Sequence, residues 1–364
     1  MYKIFLLIFI LFFCKKEDKI SEIEETLENQ KFNTAEKKIE TIIESKRNTD
    51  EVLSIRKNVK NRILEVSNDR NKVVWLDDKQ ITYKDLANPL TKSLTFPDLP
   101  ENFSISSEGE YSVVLFPLAN GSGCKMVLVS LVEPKPSYFS DTYISCKNKS
   151  AVSHDGTHIY YFINDSLWSE SILEPKKPKE VIKKEKFEVV YPNLKNRGLI
   201  YPIGKTFVIF FGNAGSYHLY WFNPQTNTIE KIGVDLASPK LYYANGKSAY
   251  IIGGVIGNML LRELKYTAFG KPVLGLGFAI NNNDLNPFPT SKENEFISGK
   301  SGMIYKWGPG ISKKNFPIIA EKFWVVARDN IIYENKKKEL ILTSSEFTEE
   351  DWKLIELYNK SKNN

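Results

Sequence analysis

Few residues in this chain of 364 amino acids are of types that do chemistry, and their spacing argues against most catalytic and metal sites. The chain has three cysteines and three histidines but no Cys-x-x-Cys pair, so a structural zinc site is not expected. His154 and His158 flank Asp155, but the Ser-His-Asp-Gly sequence around them is typical of a tight turn. Nucleophile-elbow, His-Glu-x-x-His and phosphate-loop motifs are missing. The sequence therefore predicts no catalytic residue, no metal site and no cofactor.

The first cysteine, Cys14, stands at the junction between an apolar and a polar segment. Ten apolar residues at 4–13 follow a single basic residue, Lys3, and the charged stretch 15–19 comes after the cysteine. A helix needs about 20 apolar residues to span a bilayer, whereas a run of this length suits the central part of an export signal. Residues 1–13 are therefore predicted to be a signal peptide.

This arrangement resembles a bacterial lipoprotein signal, in the looser form found in spirochaetes. Leu11 stands three residues before Cys14, as in that family, whereas the bulky Phe13 replaces the usual small residue. The resemblance implies a lipid on Cys14, a tether over 14–19, and a membrane-anchored protein of the cell envelope, on the outer membrane or the periplasmic face. The alternative is a plain secretory signal with an incidental Cys14, but no Ala-x-Ala-like cleavage site follows.

The two remaining cysteines, Cys124 and Cys146, lie 22 residues apart in segments expected to form neighbouring strands. Export would place them in a compartment that permits disulfide bonds. Two interpretations stay open at this stage, a Cys124–Cys146 disulfide and two separate buried thiols.

Residues 20–68 carry apolar side chains at helical spacing and are predicted to form a helical hairpin module. A third stripe in this segment consists of Val52, Ile55, Val59, Ile63 and Val66. Phe32, Ala35 and Ile39 resemble the centre of one tetratricopeptide repeat. Because such arrays normally need at least three repeats, a spacer between the membrane and the main domain is favoured over a complete peptide-binding array.

A repeated turn marks the main domain, predicted over 72–345. Gly109, Gly156, Gly204 and Gly246 lie 42 to 48 residues apart, and each precedes a run of β-forming residues. A period in the forties with several short strands is typical of β-propeller blades. The Ser-x-Asp-Gly form of the turn resembles TolB-like bacterial propellers, although the Trp-Asp dipeptides of the related WD type are missing.

The ends of this domain provide an estimate of the number of blades. The segments 72–83 and 322–333 resemble each other and lie 250 residues apart, about five periods. We therefore expect a mainly β fold, a propeller of about six blades. Residues 346–364 are predicted to form a C-terminal helix and tail, capped by Thr348 and Asp351.

Two functions are compatible with these features. The net charge of +6 is small and spread along the chain, which argues against nucleic-acid binding. The first hypothesis is a non-enzymatic envelope lipoprotein whose propeller loops bind a protein or glycan partner. The second is an exported propeller enzyme, a hydrolase or lyase, with its site at the central channel. It requires titratable side chains that converge in the channel.

Overall fold

Seven four-stranded antiparallel sheets make up the structure, a computed structural model. It describes residues 50–357 except 55–58, 60–61, 89, 175–176, 189–190, 192, 214, 238, 256–257, 281–284, 301, 321, 346, 349–350 and 354. The predicted signal peptide, Cys14, the tether and the tetratricopeptide-like residues Phe32, Ala35 and Ile39 lie outside these residues. In the stretches that the structure describes, no helix is long and apolar enough to cross a bilayer.

Six of the sheets are formed by four consecutive strands, and each is one blade. Blade 1 contains β2 to β5 and blade 2 contains β6 to β9; blades 3, 4, 5 and 6 follow in the same way up to β25. The strands of blades 1 to 3 are β2 (Arg62–Val66), β3 (Lys72–Asp77), β4 (Gln80–Asp85), β5 (Thr91–Thr95), β6 (Asn102–Ile105), β7 (Tyr111–Pro117), β8 (Cys124–Ser130), β9 (Lys135–Ile144), β10 (Ala151–Val152), β11 (His158–Ile163), β12 (Ser166–Ser171) and β13 (Lys179–Ile182).

The strands of blades 4 to 6 are β14 (Arg197–Ile203), β15 (Thr206–Asn213), β16 (Ser216–Asn223), β17 (Thr228–Ala237), β18 (Lys240–Tyr243), β19 (Ser248–Val255), β20 (Asn258–Lys265), β21 (Val273–Ile280), β22 (Leu285–Pro289), β23 (Phe296–Lys300), β24 (Met303–Gly308) and β25 (Ile311–Ile319). First strands of adjacent blades contact each other, as β10 does with β6 and β14, and so surround the central channel.

Blade 7 closes the ring with strands from both ends of the domain. It combines β26 (Phe323–Val325), β27 (Ile331–Glu334) and β28 (Leu340–Thr343) with β1 (Glu51–Ser54) as the outer strand. Because β1 pairs with the edge of β28, blade 7 has four strands like the other blades, and the two ends of the domain are joined in one sheet.

The propeller prediction is confirmed, but the number of six blades is wrong, since there are seven. The helical prediction is wrong for 51–54 and 62–66, which form β1 and β2, so the propeller begins before residue 72. Short helical segments stand instead at 184–186, 327–329, 351–353 and 355–357. Thr348 and Asp351 exchange hydrogen bonds at the start of the helical segment 351–353 and cap it. Trp352 and Ile355 are buried against blades 6 and 7.

The core is divided among the seven boundaries between neighbouring blades, each with its own apolar cluster. The boundary between blades 7 and 1 also contains a buried ion network. Arg62 donates to Asp77 at 2.6 Å and to Glu334 at 3.0 Å, and its side chain is 1% exposed. Glu51 on β1 adds an ion pair with Lys84 of blade 1 at 2.8 Å. Closure thus depends on charge pairing as well as on strand pairing.

Candidate functional site

The propeller has two faces, which are formed by different loops. The turns between the first and second strand of each blade lie on one face, which we call the turn face. The loops between second and third strands and the connections between blades lie on the opposite face, which we call the cleft face. This division follows from antiparallel pairing, because successive connections alternate between the two ends of a sheet.

On the turn face, the turn of blade 1 at 67–71 spans the mouth of the channel. The backbone N–H of Asn68 donates to Ser107 of blade 2, and its carbonyl accepts from Gly246 of blade 5. Arg70, which is 3% exposed, donates to the Pro289 carbonyl at 2.7 Å and to Asp329 at 3.1 Å. Burial lowers the pKa of Arg70, although Asp329 opposes the shift. One turn therefore ties together five of the seven blades and covers this end of the channel.

Inside the channel, a cavity of about 250 Å³ is lined by the first strands of blades 1, 4, 5, 6 and 7. Glu65 from this lining pairs with Lys149 at 2.6 Å, and the Lys149 ammonium lies 4.4 Å from the centre of the Tyr201 ring. Burial disfavours the charge on Lys149, but Glu65 and Tyr201 outweigh burial and raise the pKa of its ammonium. Titratable groups do converge here, yet Glu65 and Lys149 neutralise each other and are poorly placed to exchange protons with a substrate.

The Ser-His-Asp-Gly motif forms the first turn of blade 3. Asp155 accepts from the Ser153 hydroxyl at 2.6 Å and from both the hydroxyl and the backbone N–H of Thr157. The His158 ring meets the Thr157 hydroxyl at 2.8 Å. In the residues that the structure describes, no group of three or more His, Cys, Asp or Glu side chains could hold a metal ion. Asp155 therefore serves to hold the turn.

The hydrogen bonds to Asp155 predict a pH-dependent contribution to stability. Burial alone would raise the pKa of this carboxyl, but the bonds from Ser153 and Thr157 lower it to about 2. The stabilisation is therefore present at neutral pH and is lost as the pH falls from about 4 towards about 2. Because Asp155 is largely exposed, we expect Asp155→Asn to cost about 1 kcal/mol at neutral pH. Denaturation midpoints measured against pH should converge for the two proteins near pH 2, and a difference that persists there would contradict this explanation.

A cleft of about 760 Å³ lies on the cleft face, between blades 2, 3 and 4. It is formed by the ends of second and third strands and by the connections from blade 2 to 3 and from blade 3 to 4. Its polar and aromatic lining residues are Ser122, Tyr143, Ser145, Lys147, Asn148, Phe162, Asn164, Asp165, Lys195, Asn196, Arg197, Phe211, Asn213 and Tyr217. A volume of this size is typical of ligand sites.

Three cations line the cleft, and none of them has a carboxylate partner among the described residues. They are Lys147, Lys195 and Arg197. The Arg197 Nε donates to the Lys147 carbonyl, which places two of the positive groups next to each other. Asp165, the one carboxylate of the lining, accepts from the Asn196 amide at 2.8 Å. The cleft therefore carries a net positive charge.

Buried amides fix the loops that carry these cations. The Asn213 amide donates to the carbonyls of Tyr191 and Leu194 and, at 2.7 Å, to the Asn196 side chain. Asn148 accepts from the backbone of Gly198 at 3.3 Å. These amides hold the connection from blade 3 to blade 4 against its neighbours.

The structure joins Cys124 to Cys146 by a disulfide bond. Cys124 begins β8 and is fully buried, while Cys146 lies in the wall of the cleft beside Lys147. The bond thereby fastens the connection between blades 2 and 3 to the core of blade 2, at the point where that connection supplies cleft residues.

The comparisons with known proteins support the assignment of the fold and give no information about function. No protein-family model and no curated protein matches the sequence. The β-propeller domain of Cps50 (Swd1) from Myceliophteria thermophila is 12% identical, with a TM-score of 0.50, and the match covers 80% of this chain and 100% of that domain. At such an identity, the similarity shows a β-propeller and nothing about activity.

Two further solved structures give weaker matches. The hydrazine synthase of Kuenenia stuttgartiensis is 11% identical, with a TM-score of 0.48 and coverage of 78% of this chain and 95% of that one. The β-propeller domain of the trilobed protease from Pyrococcus furiosus is 13% identical, with a TM-score of 0.45 and coverage of 79% and 97%. Because both TM-scores are below 0.5, neither match adds to the fold assignment.

Sequence reasoning did not identify the cleft, although one pattern points to it. A Lys-Asn-basic triplet occurs at 60–62, 147–149 and 195–197, in each case shortly before a first strand or at its start. The second and third triplets supply Lys147, Lys195 and Arg197 to the cleft. A triplet that recurs in phase with the blades thus marked the connections of one face, whereas the glycine turns marked the other face.

Proposed function

We propose that this chain is a lipid-anchored protein of a bacterial cell envelope that binds a partner through its cleft face and does not catalyse a reaction. The anchor rests on the apolar run at 4–13 and on Cys14, which directly follows it. The observation that carries the binding proposal is the cleft, which presents three cations that have no carboxylate partner among the described residues. The Cys124–Cys146 bond holds the connection that carries one of them, Lys147. Residues 15–49 would lie between the lipid and the propeller.

The alternative of an exported hydrolase or lyase is supported by one observation, the ion pair in the channel. Glu65 and Lys149 are 2.6 Å apart and form an ion pair, so neither charge is available to a substrate. The turn at 67–71 also spans the channel mouth on the turn face. We therefore favour binding over catalysis.

Capture of an envelope partner tests the binding proposal. The full-length protein in detergent is immobilised and exposed to a solubilised envelope fraction, as wild type and as the triple variant Lys147→Gln/Lys195→Gln/Arg197→Gln. We expect the triple variant to retain less than about a tenth of the captured material, since each lost charge weakens binding by roughly 1 kcal/mol or more.

The matched control removes three lysines from the turn face, Lys205→Gln/Lys247→Gln/Lys292→Gln, so that the net charge changes equally. This control should capture as much as wild type. Equal loss in both triple variants would show that only overall charge matters, and undiminished capture by the cleft variant would contradict the proposal.

The lipid anchor predicts a specific mass. The mature protein from a membrane fraction should begin at Cys14 and carry an increment of the size of a diacylglycerol, and Cys14→Ser should abolish both the increment and the membrane association. An unlipidated chain that begins elsewhere would make Cys14 incidental.

A further inference from the structure

The charge of the cleft selects an acidic ligand. Lys147, Lys195 and Arg197 come from two successive blade connections and have no carboxylate partner among the described residues, while Asp165 is the one opposing charge in the lining. Unpaired cations in a concave surface raise the local concentration of anions, because the protein walls restrict screening by water. A cationic ligand would meet net repulsion here.

The aromatic residues of the cleft add a second requirement. Tyr143 lies at the rim and is 56% exposed, and Tyr217, Phe162 and Phe211 lie deeper in the same lining. An exposed tyrosine ring offers an apolar face with a polar tip, which suits the C–H face of a sugar ring that keeps its hydroxyls hydrated. At about 760 Å³, the cleft is larger than a single inorganic anion requires.

We infer that the cleft between blades 2, 3 and 4 binds an acidic oligosaccharide. Its carboxylates pair with Lys147, Lys195 and Arg197, and a sugar ring packs on Tyr143. This inference rests on the proposed function, which it deepens by naming the class of ligand.

Isothermal titration of the full-length protein with a hyaluronan tetrasaccharide, at low salt, tests the inference. We expect binding that weakens about tenfold in each of Lys147→Gln, Lys195→Gln and Tyr143→Ala, and that falls further as salt rises. Lys247→Gln, on the turn face, should bind as wild type does.

Two further probes separate charge from sugar. Chitotetraose has sugar rings without charge, and an N-acetylated tetraglutamate amide has charge and backbone N–H groups without sugar. The inference predicts at least tenfold weaker binding of both. If the glutamate peptide binds as tightly as the hyaluronan tetrasaccharide or more tightly, the inference is overturned in favour of an acidic peptide. If chitotetraose binds as tightly as the hyaluronan tetrasaccharide, the three cations do not contribute to binding, which also contradicts the inference.

The result also distinguishes this inference from the proposed function. If no saccharide binds but the cleft triple variant still loses its envelope partner, the ligand class is wrong and the binding function stands. If the cleft variants change neither measurement, both proposals fail.

Discussion

Replacing Arg62 with alanine should lower the free energy of unfolding by about 3–5 kcal/mol, the range for breaking a buried ion pair from one side. The Arg62 guanidinium donates to both oxygens of Asp77 and to Glu334, and it reaches the Lys338 carbonyl at 2.9 Å. Its removal takes the paired donors away from the buried Asp77 carboxylate and leaves Glu334 with one cation, Lys338 at 3.0 Å, in place of two. Because Asp77 belongs to blade 1 and Glu334 to blade 7, the substitution weakens the boundary that closes the ring.

Denaturant unfolding measures this effect, with an exposed ion pair as the matched control. Lys135 and Glu133 are 2.7 Å apart but 64% and 72% exposed, so Lys135→Ala should cost less than about 1 kcal/mol. If Arg62→Ala does not fold, Arg62→Lys keeps the charge without the paired donors and should give an intermediate loss. A cost for Arg62→Ala no larger than that for Lys135→Ala would contradict the closure described above.

Removing the disulfide should cost about 3 kcal/mol, as expected for a closed loop of about 20 residues. Cys124 and Cys146 enclose a separation of 22 residues, which contains β8, β9 and the loop between them. The double variant Cys124→Ser/Cys146→Ser also releases the connection that carries Lys147. We therefore expect weaker ligand binding as well as lower stability.

Reduction of the wild-type protein provides the control for this variant, because it breaks the same bond without changing a residue. Unfolding midpoints of the reduced wild type and of the double variant should agree. A wild type whose stability does not change on reduction would show that the bond does not fasten the cleft loop.

The sequence predicted the kind of fold because one turn has a strict backbone requirement. Gly109, Gly156, Gly204 and Gly246 all have positive φ, between 58° and 73°. The remaining blades meet the same requirement without glycine, at Arg70, Asn294 and the pair Arg328 and Asp329. Since residues other than glycine can adopt positive φ at a modest cost in free energy, a count of glycines could not reveal every blade.

The error in the blade number also has a geometric cause. The segment from Lys72 forms the second and third strands of blade 1, whereas the segment from Lys322 forms the first and second strands of blade 7. Their separation is therefore not a whole number of blades. Both segments form hairpins, but the two hairpins are different parts of a blade.

The helical prediction failed at 51–54 and 62–66 because short strands do not display their periodicity. β1 has four residues and β2 has five, too few for an alternating pattern to outweigh the spacing of Val52, Ile63 and Val66. Arg62 lies within the segment predicted to be helical, and its charge is buried by partners distant in sequence, Asp77 and Glu334. Long-range pairing of this kind leaves no local signal.

The cleft was beyond sequence reasoning for the same reason. Its residues come from segments near 122, 143–148, 164–165, 195–197 and 213–217, which only the ring arrangement brings together. The Cys124–Cys146 pairing was one of two open interpretations. The structure adds that this bond fastens a loop of the cleft.

Hydrogen–deuterium exchange on the full-length protein tests most directly whether the cleft face is the binding surface. The protein would be labelled in detergent with and without the solubilised envelope fraction. We predict slower exchange in the segments at 143–148, 163–166 and 195–198, with unchanged exchange in the turns at 106–110, 153–157 and 244–247. Protection confined to those turns, or to the strands around the channel at 64–66 and 241–243, would contradict the proposed function.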